Sequence, residues 1–328
     1  MVSRTAIAMV AGCLIALGWT APANSKGSGL IFVTSEKSST LTVLNSSNAI
    51  VTTVQTCARP RGIKFNLDHM SMYIACGDDD TIALYDIATL KLTRRYRGIP
   101  DPETFALAPD GKHLYISNED DSEASVLDTD TGAIVAHYAT GEEPEGVLIT
   151  PDGKRAFVTS EAASLVHVID IGTGKEIKSI VVDTRPRRFA LTPDGKQLWV
   201  SCEIAGVVNV IDTESLEVVA TIEFLPKGMR KEMVTPVDLV MTKDGARAYV
   251  ALGRANHVAV VDVASREILD YVLVGKRPWG LALAADEKKL YVANGLSDDV
   301  TIIDTASNAA ITSVPAGQVP YGILIDDQ

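Results

Sequence analysis

From residue 30 onward short apolar runs alternate with tight polar breaks, and helix signals are essentially absent. One stretch shows the pattern: Gly146-Val147-Leu148-Ile149, a break at Pro151-Asp152-Gly153, then Ala156-Phe157-Val158-Thr159. Val166-His167-Val168-Ile169-Asp170 follows, then a Gly-Thr-Gly break and a last apolar segment from Ile177 to Val182. Asp-Gly marks a hairpin, because Gly accepts positive φ and Asp bonds its own backbone. The unit therefore reads as four short antiparallel strands. Runs such as Val207-Val208 and Ile302-Ile303 break strict alternation, as strands packed on both faces do.

The unit repeats. A proline recurs at Pro60, Pro102, Pro144, Pro186, Pro236, Pro278 and Pro320, every 42 residues except for one spacing of 50. An aromatic recurs at Phe32, Tyr73, Tyr115, Phe157, Trp199, Tyr249 and Tyr291. An Asp follows at Asp86, Asp128, Asp170, Asp212, Asp262 and Asp304, with Asn45 standing in once. Three independent markers thus give seven copies with one eight-residue insertion. A period near 42 in an all-strand pattern predicts an all-β, seven-bladed β-propeller of four-stranded antiparallel blades. The repeat begins at a second strand (Leu30 to Thr34) and ends after a first strand (Tyr321 to Ile325). Pairing the C-terminal strand with the N-terminal three-strand segment closes the ring and removes its open edge.

The N-terminus stands outside that pattern. Arg4 is its only early charge, Ala6 to Leu17 is apolar, and Ala21-Pro22-Ala23 offers small residues for cleavage. Residues 1–23 are expected to be a secretory signal peptide, leaving 24–328 as the propeller and placing it in the periplasm. Val10-Ala11-Gly12-Cys13 is like a lipoprotein box, but the apolar run continues past Cys13. No membrane span is expected in the mature chain. The formal charge of −12 fits neither nucleic acid nor anionic lipid, which need a basic patch. Cys57, Cys76 and Cys202 are too few for a disulfide framework and match no zinc or haem spacing. Cys57 and Cys76 fall on one face, and sequence leaves open whether they are joined.

Leu290-Tyr291-Val292-Ala293-Asn294 and Thr301-Ile302-Ile303-Asp304-Thr305 resemble the signature of the YVTN family of propeller repeats. The segments PDPETFALAPDGK (100–112), LYISNEDD (114–121), EPEGVLITPDGK (143–154), LWVSCEIAG (198–206) and AYVALGRANHVAVVD (248–262) narrow this. With the insertion PKGMRKEMVTPV (226–237), they resemble the propeller associated with pyrroloquinoline-quinone (PQQ)-dependent catabolism. That resemblance implies export and a PQQ-dependent dehydrogenase or a transport component as partner. It carries no catalytic residues.

Strand direction places the residues around each proline on the same face as the second-strand exits. After the prolines come Arg61, Glu103, Glu145, Arg187, Val237, Trp279 and Tyr321. The exits are Glu36, Gly77, Glu119, Glu161, Glu203, Gly253 and Gly295. Charge is sorted by blade, so a binding site is expected at this channel mouth. Its residues are Arg59, Arg61, Glu103, Glu145, Arg185, Arg187, Arg188, Arg277, Trp279 and Tyr321. Arginines suit a small anionic ligand, and the aromatics suit stacking on a flat one. Glu103, Glu119, Glu145 and Glu161 are candidate oxygen ligands for Ca²⁺ or a similar hard cation. The competing reading is a rim of solvated charges, each worth little. The five histidines scatter over different blades, and there is no G-x-S-x-G, H-E-x-x-H or P-loop. The expectation is a non-enzymatic binding or scaffold protein serving PQQ-linked oxidation; the alternative is a lactonase-like, metal-assisted hydrolase.

Overall fold

The computed structural model describes residues 27–327, so the expected leader over residues 1–23 lies outside the described residues. Twenty-eight strands form seven four-stranded antiparallel sheets arranged as a ring of blades. Six of the seven blades run outward in sequence order, as in Pro144–Ile149, Arg155–Ser160, Leu165–Asp170 and Lys175–Val181. First strands line the central channel. Among the described residues, no helix is long and apolar enough to cross a membrane.

The repeat markers each have a physical task. The seven aromatics are all buried and fill the space between neighbouring blades. The aspartates end the third strands, where one carboxylate oxygen accepts the N–H three residues on, at 2.7 Å for Thr131, Thr173 and Ser215. Those bonds hold Asp170 and its equivalents below the usual carboxylate range, side-chain and backbone donors acting together. Asn45 does the same with its amide oxygen, accepting from the N–H groups of Ser47 and Ala49 at 3.0 Å. The substitution is structurally neutral because the turn needs an acceptor rather than a charge.

The ring closes as expected. Pro320–Asp326 pairs with Leu30–Ser35, with Ile325 opposite Ile31 and Leu324 opposite Phe32. The last strand of the chain is therefore the innermost strand of the blade whose other three strands are N-terminal.

Cys57 and Cys76 form a disulfide, with Cα atoms 5.7 Å apart. It ties the approach to Pro60 to the end of strand Ser71–Cys76, on the proline face. A bridge closing a loop of this length restricts the unfolded chain. The Cys57→Ala/Cys76→Ala variant is expected to lose about 2–4 kcal/mol in urea unfolding. An unchanged midpoint and slope would show that the bridge contributes nothing. Cys202 is a buried free thiol, its pKa pushed up to about 12 by burial and by nearby Asp183.

Candidate active site

One local device builds the proline face. In six blades the residue before the proline has a left-handed backbone: Arg59, Asp101, Glu143, Arg185, Arg277 and Val319 have φ between 36° and 63°. Residues other than glycine adopt this region rarely, and its repetition marks a constrained turn. The carbonyl of that residue accepts the N–H of the residue leaving the second strand. Glu161 donates to Glu143 at 2.9 Å, Glu203 to Arg185 at 2.8 Å and Glu36 to Val319 at 2.9 Å. In the remaining blade the Thr235 hydroxyl accepts instead, from the N–H of Arg254 one residue beyond the exit, at 2.8 Å. Side chains from both ends of the hairpin are thereby gathered at one mouth. Glycine at 146 and at 280 then lets the next blade's backbone close in, because a Cβ there would strike the carbonyl oxygens of Arg187 and Tyr321.

Arg187 occupies the centre of one half of the mouth. Its guanidinium reaches Glu161 at 2.7 Å, Glu203 at 3.1 Å and Glu145 at 3.2 Å. Arg185 bridges Glu161 (2.8 Å) and Glu203 (3.3 Å), and Arg277 holds the other oxygen of Glu203 at 2.7 Å. Arg188 holds Glu145 at 2.8 Å, and the Tyr321 hydroxyl donates to Glu145 at 2.9 Å. Four guanidiniums thus face three carboxylates. The opposite half has the reverse balance: Arg59 and Arg61 face Glu36, Asp78, Asp101 and Glu103.

These groups are not a solvated rim. Glu103, Glu145, Glu161, Glu203 and Arg187 are all at most 4% exposed, which removes the reading of individually weak surface charges. Burial opposes ionisation of Glu145, but Arg187, Arg188 and Arg61 outweigh it and hold the carboxylate below the usual range. Burial holds Glu161 well above that range; Arg187 pulls the other way and Glu145 adds to the rise. Two carboxyls sharing one guanidinium are driven in opposite directions, the arrangement that separates an acid from a base.

The ligands expected for a hard cation divide. Asp101, Glu103 and Glu119 bring oxygens within 4.8 Å of one another. Arg59 and Arg61 already neutralise Asp101 and Glu103, so a cation there would have to displace a guanidinium. Glu145 and Glu161 turn to the arginine half instead. The aromatics are engaged too. Arg277 lies 4.4 Å and Arg187 5.2 Å from the Trp279 ring centroid, while Arg61 and Arg188 lie over Tyr321 at 5.0 and 5.5 Å. These rings anchor the arginines by cation–π contact rather than offering free faces for a flat ligand.

Glu203 was not among the expected site residues, although its register position, equivalent to Glu119 and Glu161, already carried the signal. Tyr321 meeting Glu145 across the ring had no such signal. Below the mouth, first strands enclose a channel cavity of about 260 Å³ containing Lys64 and Asp238. Lys64 projects into the channel with protein on all sides, and this enclosure lowers its pKa while Asp238 opposes the shift.

Residues 147–318 match the family described as lactonase, 7-bladed beta-propeller. No curated protein sequence matches the chain. Among solved structures, hydrazine synthase of Kuenenia stuttgartiensis is similar at 23% identity and TM-score 0.72, covering 80% of this chain and 88% of that one. A putative 6-phosphogluconolactonase from Bacteroides fragilis is similar at 17% identity and TM-score 0.77, covering 93% and 99%. A functionally unknown protein from Desulfotomaculum acetoxidans gives 15% identity, TM-score 0.77 and coverage of 91% and 99%. At such identities these structures establish the shared fold alone.

The family match corrects the expectation of a non-enzymatic scaffold and favours the lactonase-like alternative. The physical reason for the error is specific. Missing histidine and serine motifs were taken as missing catalysis, whereas this mouth assembles arginine and carboxylate from separate blades, where no local motif can form.

Proposed function

The chain belongs to the lactonase family of seven-bladed β-propellers, and from that premise we propose that it is a hydrolase opening a lactone ring at the arginine half of the proline-face mouth. The observation that carries this reading is the pair Glu161 and Glu203, held on the same nitrogens of Arg185 and Arg187 beside Arg277. Arg277 polarises the lactone carbonyl and stabilises the oxyanion. Glu203 takes a proton from the attacking water as its oxygen bonds to the carbonyl carbon. The ring C–O bond then breaks, and Glu161, kept protonated by burial, gives its proton to the leaving alkoxide. The product is the open hydroxy acid, and exchange with solvent restores both carboxyls. Glu145 stays ionised and holds Arg187 and Arg188 in place. No step uses a metal.

A pH-stat assay over five- and six-membered lactones tests this. Wild type is expected to turn over at least one. Glu203→Gln and Arg277→Met should each lower kcat/KM by about 10²–10³-fold, the scale of losing an oxyanion partner. The wild-type rate should fall on the alkaline side as Glu161 loses its proton, and that limb should vanish in Glu161→Gln. Added Ca²⁺ should leave the rate unchanged. No turnover anywhere on the panel would overturn the hydrolase reading.

The disulfide supports an oxidising compartment, in keeping with an exported chain. Edman sequencing of protein from its host should begin at Asn24; a start at Met1 would refute cleavage. The motif resemblance supports a place beside PQQ-dependent alcohol oxidation. Stepwise oxidation of a diol through its cyclic hemiacetal yields a lactone, the substrate such a hydrolase would consume.

A further inference from the structure

Beside Arg277 the proline face sinks into an open recess of about 570 Å³. Lys37, Arg254 and Lys276 converge on it from three separate connections, and no carboxylate side chain lines it. Among the described residues, none of these three side chains forms an ion pair or a side-chain hydrogen bond, in a chain with 42 acidic against 30 basic residues. What sets these three apart is that they meet in one recess whose lining holds no carboxylate to answer them. At its edge Arg277, whose pKa is lowered by burial and pulled back up by Glu203, is depressed again by the charge of Arg254. An anion would relieve that repulsion.

The rest of the lining limits what the anion can be attached to. Met233, Leu296, Val319 and Trp279 make the remaining wall. The one amide side chain, Asn256, already spends its oxygen on the Arg277 N–H at 2.9 Å. Every other polar side chain in the recess is a donor only. A sugar's hydroxyl donors would find one side-chain acceptor here at most, the second lone pair of the Asn256 oxygen, so the lining cannot select for them. An apolar body loses nothing.

Building on the hydrolase reading, we propose that this recess is the specificity subsite, and that the substrate is an anionic lactone with an apolar, hydroxyl-poor body rather than a sugar lactone. Arg277 serves both sites, so an anion seated on Lys37, Arg254 and Lys276 presents the adjoining lactone carbonyl to Glu203.

Three substrates separate the terms: phenylparaconate (an aryl butyrolactone acid), its neutral methyl ester, and 6-phosphogluconolactone. Phenylparaconate should exceed both others in kcat/KM by about tenfold or more, the scale of one charge-assisted contact. In Lys37→Gln/Lys276→Gln the acid-to-ester ratio of kcat/KM should fall by about tenfold, through KM rather than kcat. Lys112→Gln/Lys154→Gln on the opposite face should leave the ratio unmoved. An ester as good as the acid overturns the anion subsite, and a phosphosugar as good as phenylparaconate overturns the apolar body. Calorimetric binding of the non-hydrolysable analogue phenylsuccinate keeps the two claims apart. Binding to wild type that is lost in Lys37→Gln/Lys276→Gln, with no lactone turned over, sinks the hydrolase reading and sustains the subsite. Equal binding to both proteins sinks the subsite.

Discussion

Deleting Gly322 to Gln328 should abolish the cooperative fold. The deleted segment is nearly all of the innermost strand of the closing blade, and its partner Leu30–Ser35 would lose its ladder from Ile323 to Asp326. Ile323 is buried, and Leu324 and Ile325 pack against the cores on either side. Each aliphatic side chain of this kind is worth about 1.5–3 kcal/mol when fully buried. Leu324 and Ile325 are only partly buried, yet with Ile323 they still represent a large share of the net stability of an ordinary domain, about 5–15 kcal/mol. The cut also exposes a strand edge inside the ring, where the first strands of two flanking blades have nothing to pack on. The truncated chain is expected in the insoluble fraction, or soluble without a cooperative melt by circular dichroism. A soluble protein melting within a few degrees of the full chain would show that the ring holds without its latch.

Arg187→Ala should cost the most among single substitutions at the mouth. Arg187 is 4% exposed and touches Glu145, Glu161 and Glu203 within 3.2 Å. Removing it takes from Glu145, Glu161 and Glu203 the one guanidinium that all three share and leaves buried oxygens without that partner, a loss of about 3–5 kcal/mol. The loss should depend on pH in a defined direction. In wild type, Glu145 has a depressed folded pKa, so its contribution is present above the usual carboxylate range and lost as pH falls through the lower value. Without Arg187 the folded carboxyls move upward. Their neutral forms are tolerated at low pH, and the penalty grows as pH rises through the raised values. Urea unfolding at pH 5 and pH 8 should therefore show the larger deficit at pH 8. Arg187→Lys should recover only part, since one ammonium cannot serve three carboxylates in a fixed fork. A deficit under about 1 kcal/mol at both pH values would mean that the cluster is screened by solvent after all.

The sequence by itself determined the architecture, the register and the face on which charge collects. Those follow from local and periodic causes: Asp-Gly turns, aromatics at fixed intervals, and a proline that starts every first strand. Glu203 was legible on the same grounds, because its position in the repeat equals that of Glu161. What only the tertiary structure decided is how far these charges are buried and which of them meet. Tyr321 reaches Glu145 over 176 residues, and Lys37 shares a recess with Lys276 from a different blade. Register can say that two residues lie on one ring, but not that a guanidinium replaces water between them. That replacement depends on blade tilt, on backbone closing over Gly146 and Gly280, and on left-handed turns at Arg185 and Arg277. Desolvation and the guanidiniums enclosed with it act through the whole fold, and together they drive Glu145 below the usual carboxylate range and Glu161 above it.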